Sequence, residues 1–265
     1  MSFQLRLRSA GKAASLHLLG SLIVALLAAV FVFLVWYPHP YGLLSGGRKL
    51  FLILVGVDVV CGPLLTLILF SPKKPRREIW TDMALVITIQ LAALVYGLHM
   101  AHQARPLFLV HEVDRFRVIN LQDYLGEDLS VQLDALPQGL KPGIFDGPVT
   151  VGVRDPISRE ERHEVMLDSV AGGRDYSQRP DFYVPYDSAY QSKAVQRARP
   201  LSGFVERYQD TATEANKIVG SHGTTVGDAV FLPVLHKQDW IAVMDKSGRI
   251  LGFLPGDGFS VAAKR

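Results

Sequence analysis

One cysteine in 265 residues, Cys61, leaves nothing for a thiol to pair with inside the chain, which excludes an intramolecular disulfide framework. Cys61 also lies in a strongly apolar stretch, so the rest of the chain has no thiolate to offer a metal. Acids are nearly absent from the first 105 residues, where Asp58, Glu78 and Asp82 stand against ten Lys and Arg. The following 160 residues hold 18 Lys and Arg against 22 Asp and Glu, so the net charge of +3 belongs to the N-terminal part. A nucleic-acid module carries its basic excess on the soluble part, where it displaces counterions from phosphates. Here that part is acidic, so no nucleic acid is expected as a partner. Missing too are a G-x-S-x-G elbow, a Walker loop and an H-E-x-x-H pair. The chain has no Asp-x-Asp, the metal and nucleotide clamp of many sugar transferases. These absences point away from an enzyme and from any cofactor or metal.

What the chain has is long apolar runs. Ala13 to Tyr37 holds no Asp, Glu, Lys or Arg, and Leu50 to Phe70 holds one charge, Asp58. Met83 to Ala101 is the third run, with Trp80 and Tyr96 near its two ends. About 20 helical residues cross the roughly 30 Å hydrocarbon layer of a bilayer. The sequence therefore predicts three transmembrane helices over about 14–37, 50–70 and 83–101. The first could be a signal peptide, given Arg6, Arg8 and Lys12 before it. Its apolar part is too long for a signal core, however, and it ends at Val35-Trp36-Tyr37-Pro38 rather than at small residues. We read it as a retained helix. The second and third runs are joined by Ser71-Pro72-Lys73-Lys74-Pro75-Arg76-Arg77, making a helical hairpin.

Alternating spans place Arg6, Arg8, Lys12, Lys73, Lys74, Arg76 and Arg77 on one side, and Arg48, Lys49 and Arg105 on the other. The basic side faces the cytoplasm. The expected protein is thus a multi-pass membrane protein with a cytoplasmic N-terminus, a membrane domain over 1–105 and an extracytoplasmic domain over 106–265. The loop Pro38 to Gly47 is a Pro- and Gly-rich turn. Its Tyr41, Leu43 and Leu44 suggest a place in the membrane interface, against the outer ends of the helices.

After Pro106 the period changes. LFLVHEVDRFRVINL reads as one or two strands, and Val149 to Val153 as a short one. Ser158 and Glu161 form a capping box opening a helix with Val165, Met166, Leu167 and Val170 on its apolar face, stopped at Gly172-Gly173. Asp187 caps a short helix to Arg199, and Leu201 to Val219 repeats at helical spacing. Val230 to Leu235, Trp240 to Met244 and Ile250 to Leu254 are strands, the last two joined as a hairpin around Gly248. The fold class expected is three transmembrane α-helices followed by a small α+β domain, its sheet mostly antiparallel with helices on one face.

Asp58 is the residue that most needs explaining, because an ionisable group in hydrocarbon costs about 2.5 to 3.5 kcal/mol. Counting about 1.5 Å per residue from the span ends puts Asp58 and Gln90 at nearly the same depth. The Asp58 carboxyl and the Gln90 amide are therefore expected to meet. Gly62 and Thr66 form a small-xxx-small pair that lets a helix, internal or foreign, approach closely. Three readings stay open for Asp58: a polar clip for the hairpin, contact with a partner's transmembrane helix, and proton transfer. His99, His102, His111 and Glu112 resemble a metal site only loosely, interfacial histidines being the simpler reading. The aromatic run Asp181 to Tyr186 is either a contact surface or packing.

The order of segments resembles the TfpX/TfpZ-type accessory proteins of type IV pilins. The resemblance rests on YPHPYGLLSGG (Tyr37 to Gly47), LVGVDVVCGPLLT (Leu54 to Thr66), SPKKPRRE (Ser71 to Glu78), QARP (Gln103 to Pro106) with EVDRFRV (Glu112 to Val118), and RPDFYVPY (Arg179 to Tyr186). Cys61 stands where an aliphatic residue is expected. The resemblance implies an inner-membrane protein with a periplasmic domain that assists assembly or dynamics of a cognate major type IV pilin. It carries over no catalytic residue. Pilin, inner-membrane lipid and other membrane proteins of pilus assembly are the partners it implies. The rival readings are a pilin-modifying enzyme such as a glycan transferase and a transmembrane sensor.

Overall fold

The computed structural model describes residues 3–45, 47–124 and 129–262; Gly46 of the YPHPYGLLSGG stretch lies outside the described residues. The chain divides into two compact units, Met1–His39 with Gly46–Ala104, and Pro40–Ser45 with Arg105–Arg265.

In the first unit, α1 (Phe3–Phe31) continues through a π-helical turn, Val32–Trp36. The four-residue α2 (Tyr41–Leu44) belongs to the second unit, and α3 (Gly47–Leu69) and α4 (Arg76–Gln103) complete the first. Three stretches, Arg6–Trp36, Phe51–Leu69 and Arg76–Gln103, are long and apolar enough to cross a membrane. Most of their apolar surface is outward: Leu16, Leu34 and Ile68 are 73, 71 and 66% exposed. An apolar exterior on that scale suits lipid or another helix rather than water, and is compatible with a membrane protein. α4 starts in the basic turn, seven residues before Met83, because Pro75 precedes it and Glu78 sits in its first turn, where the helix dipole favours an acid.

The ends of this unit are closed by polar contacts to helix-terminal carbonyls, which have no intrahelical donor. Arg6 donates to the Ile68 carbonyl of α3 at 3.3 Å. The Tyr37 hydroxyl donates to the Ala101 carbonyl of α4 at 2.9 Å, beside a cluster of Val32, Trp36 and Phe51. The first contact sets the start of α1 against the end of α3, the alternation on which the charge count rests.

The second unit is built on a sheet of β1 (Pro106–Glu112), β2 (Arg115–Asn120), β3 (Val149–Val153), β4 (Tyr183–Pro185), β5 (Arg199–Pro200), β6 (Val230–Leu235), β7 (Trp240–Met244) and β8 (Ile250–Pro255). Its order is β4-β3-β1-β2-β6-β7-β8, with β5 paired to β6. The sheet is mixed: β1 with β3 and β2 with β6 are parallel, the other pairs antiparallel. Five of the seven pairs are antiparallel, in keeping with the mostly antiparallel expectation, and the two parallel joins are what the sequence reading lacked. Parallel pairs need long crossovers, and the segments between β1 and β3 and between β2 and β6 supply them.

The helices α5 (Leu129–Ala135), α6 (Arg159–Val170), α7 (Ser188–Val195), α8 (Leu201–Arg207) and α9 (Ala212–Ser221) lie among these strands in sequence. They do not keep to one face. Leu109, Phe116, Leu232, Trp240 and Ala242 form one cluster with Ala194 of α7 and Tyr41 and Leu44 of α2. Phe231, Ile241 and Val243 point the other way, to Leu201 and Phe204 of α8 and Ala215 and Val219 of α9. Phe108, Val110 and Val151 meet Val165 of α6. A sheet buried on both faces reads as near-continuous apolar runs, and every residue of β7 is buried.

Four local expectations also change. Tyr41 and Leu44 are core residues of the sheet unit, 7 and 0% exposed, rather than interfacial. On α6, Val165 is buried but Met166, Leu167 and Val170 are exposed. The Ser158 hydroxyl accepts from the Glu161 amide at 3.1 Å, but the Glu161 carboxylate takes the Ile157 amide and the Arg154 guanidinium instead of closing the box. The helical run after Leu201 breaks at Tyr208 into α8 and α9.

Candidate functional site

The polar residues of the helical unit converge on one place. At i, i+4 spacing, α1 presents His17 and Ser21 on one face, and α3 presents Asp58, Gly62 and Thr66 likewise. Gln90 comes from α4. His17 Nδ1 lies 2.6 Å from Thr66 Oγ1, and His17 Nε2 lies 2.5 Å from Gln90 Oε1. The Gln90 amide nitrogen donates to the backbone carbonyl of Asp58 at 3.0 Å and reaches Ser21 Oγ at 3.5 Å. An amide oxygen only accepts, so His17 Nε2 carries the proton toward Gln90, and a neutral ring then takes the Thr66 hydroxyl proton on Nδ1. Three helices are thereby joined by one directed chain, from Thr66 through His17 and Gln90 to Asp58.

Glycine at 62 makes the chain sterically feasible. A Cβ there would fall 2.1 Å from Gln90 Nε2, so a larger residue displaces the amide. Thr66 is 1% exposed. The close approach that Gly62 and Thr66 permit is thus taken up inside the unit, by Gln90 and His17.

Asp58, Gln90, Gly62 and Thr66 all fall in this cluster, with one difference from expectation: Gln90 meets the backbone carbonyl of Asp58, not its carboxyl. The reason lies in Gly62, which opens a slot beside the backbone of α3 one turn beyond Asp58. Asp58 also lines a cavity of about 230 Å³ with His17, Ser21 and Gln90 among apolar side chains. Sequence reasoning missed His17. Its signal in the sequence is a lone imidazole in a run that holds no Asp, Glu, Lys or Arg.

A second groove, of about 290 Å³, runs between α1 and α3. Small Ala14 and Ser15 face Val59, Val60, Pro63 and Leu64 across it. Pro63 has no N–H, so the Val59 carbonyl, one turn earlier, loses its intrahelical donor.

The other residues singled out disperse. His99 is exposed, and His102 sits edge-on to Trp36 with ring centroids 5.2 Å apart. His111 and Glu112 belong to the sheet unit. Among the described residues no three His, Cys, Asp or Glu side chains are placed to hold a metal ion. Of the aromatic run, Phe182 and Tyr183 are core residues. The Tyr183 hydroxyl donates to the Ser177 carbonyl at 2.5 Å and Tyr186 to Gly248 at 2.8 Å. Burial pushes the Tyr183 phenol far above its ordinary range.

The family model described as fimbrial assembly protein FimB matches residues 5–46. Over 262 residues the chain is 37% identical to the fimbrial assembly protein of serogroup I of Dichelobacter nodosus, covering 95% of this chain and 97% of that protein. It is 35% identical to the serogroup E1 protein of the same organism over the same shares. It is 45% identical to that of serogroups C1 and C2 over 129 residues, 49% of this chain and 93% of that protein. No solved structure matches.

Proposed function

Since this chain belongs to the fimbrial assembly protein family, we propose that it is a TfpX/TfpZ-type accessory factor of the bacterial inner membrane. In this reading it is not an enzyme, and it assists assembly or dynamics of a cognate major type IV pilin by direct contact. A role in fimbrial or pilus biogenesis follows from the family. The mode of action is our own reading. Its helices cross the membrane with the sheet unit on the periplasmic side, where seven basic residues against three favour a cytoplasmic N-terminus.

The observation that carries the contact is the groove between α1 and α3. Pilin subunits present an apolar helix in the membrane, and helices associate there by close packing of small residues and by hydrogen bonds to otherwise unclaimed groups. Ala14 and Ser15 supply the first, and Pro63, which has no N–H, leaves the Val59 carbonyl without its intrahelical donor. The His17, Gln90 and Asp58 chain supports the same reading from behind, holding α1, α3 and α4 at fixed spacing so that the groove keeps its width.

Deletion of the protein tests this. Surface pili should fall while pilin abundance and intact pilin mass, read by mass spectrometry, stay unchanged. A changed pilin mass on deletion would replace this account with one in which the protein is a pilin-modifying enzyme.

A further inference from the structure

The sheet unit contains a pocket that the membrane reading does not use. The parallel ladder of β1 and β3 ends at Val110 and Val151. Beyond it the Tyr190 hydroxyl enters the gap, accepting the Val153 amide proton at 2.8 Å and lying 3.0 Å from His111 Nδ1. Gly152 makes room for the Tyr190 ring, since a Cβ there would fall 2.3 Å from it. The carboxyl ends of parallel strands, where neighbours diverge, are where open sheets form binding crevices. Here the crevice holds about 520 Å³, within the range of pockets that take small ligands or side chains.

Its lining carries four cations, Arg154, Arg162, Lys193 and Arg197, against two acids, Glu112 and Asp155. Arg154 is held by Glu161, and Lys193 by Asp155 at 2.9 Å. The guanidinium groups of Arg162 and Arg197 have no hydrogen bond or ion pair among the described residues. His111 is 1% exposed, and its Nε2 is buried with no hydrogen-bond partner. In the tautomer whose Nδ1 accepts from Tyr190, Nε2 carries a proton that nothing among the described residues receives. An orphaned buried donor is costly, and a ligand acceptor would relieve it. At the lip, Val113 is held at φ 56° while 68% exposed. The two-residue turn between the paired Glu112 and Arg115 demands that φ, which a β-branched residue adopts at a cost. The apolar part of the lining, Met166 and Tyr176, adjoins in sequence the exposed Leu167 and Val170 of α6.

We propose that this pocket binds a carboxylate side chain carried on a polypeptide segment with apolar neighbours. Arg162 and Arg197 take the carboxylate by charge-assisted hydrogen bonds, the buried imidazole donates the remaining one, and Met166 with Leu167 and Val170 covers the apolar flank. The exposed apolar face of α6 selects a polypeptide over a free small anion, which would leave that face in water.

The test uses the full chain in detergent micelles and a fluorescent, end-blocked peptide alternating leucine and glutamate. The peptide should bind, and its leucine–glutamine counterpart should bind roughly tenfold more weakly or worse, the loss of one charge-assisted hydrogen bond or more. Arg162→Ala and Arg197→Ala change exposed residues and should each weaken binding by a similar factor. Nitrogen NMR should show the His111 Nε2 resonance moving on addition of the peptide and not of its glutamine counterpart. Equal affinity for both peptides, affinity untouched by the two substitutions, an unmoved His111 signal or no binding at all would overturn the site. Free glutarate binding as tightly as the peptide would overturn the polypeptide as its occupant.

Discussion

At Gly62 the side chain is absent because Gln90 occupies its place. Gly62→Ala puts a methyl group on the Gln90 amide, and the helical unit should lose about 1 to 2 kcal/mol as the chain to His17 breaks. Unfolding in mixed micelles of rising denaturing-detergent fraction measures this. Gly56, whose Cβ would meet nothing within 4 Å, is the matched control. Gly56→Ala should be neutral or slightly stabilising. Equal losses at both positions would contradict the cluster. His17→Leu should cost a similar amount to Gly62→Ala, and the double variant little more, since both cut the same chain. His111 makes a prediction in the other unit. Burial, helped by Lys193, pushes its imidazole down to about 4, and burial does the same to His236. The folded state then resists a proton that the unfolded chain accepts near pH 6.5, so stability is full above that pH and falls as pH drops toward 4. His111 alone contributes up to about 3 kcal/mol to that slope. Denaturation of the full chain followed by Trp240 fluorescence should show a lower midpoint at pH 5 than at pH 7. His111→Gln should flatten the difference; an unchanged slope would show that His111 does not titrate as its burial requires.

At the scale of elements, what could be read from sequence depended on whether the signal was local. The three long helices are announced by long apolar runs, and β6, β7 and β8 by apolar runs separated by turns, with Gly248 at φ 92° closing the last hairpin. The parallel joins of β1 with β3 and β2 with β6 have no such signature, because strands far apart in sequence share no turn. Periodicity also leaves the facing of a helix open: counting on α6 groups Val165 with Met166, Leu167 and Val170, yet only Val165 reaches the core. The place of Tyr41 and Leu44 is hidden from the sequence for a related reason. An apolar turn between two membrane runs looks interfacial, and nothing nearby in sequence says that α2 packs on β1, β2 and β7 instead. In the candidate site, the depth count brought Asp58 and Gln90 together, while His17, on a helix counted as plain hydrocarbon, needed the tertiary structure. One element-level prediction follows from the crevice. Gly152→Ala forces a methyl group into the Tyr190 ring, whose hydroxyl is pinned by the Val153 amide, and should destabilise the sheet unit by about 1 to 3 kcal/mol. A thermal midpoint equal to wild type would refute that packing.

For the whole molecule, the proposal joins two statements: which side of the membrane the sheet unit occupies, and what the helices touch. A phosphatase reporter fused after Arg265, which itself lies outside the described residues, should be active, and a fluorescent protein at the same place dark. The reverse would remove the proposed orientation. The contact itself is tested most directly by a photoreactive amino acid at Leu64, in the groove between α1 and α3, with Val95 on α4 as the comparison site; both are more than half exposed. Irradiation of piliated cells should give an adduct of this chain with the major pilin from Leu64 and much less from Val95. Abundant pilin with no adduct from Leu64, or equal adducts from both sites, would contradict a pilin contact through this groove.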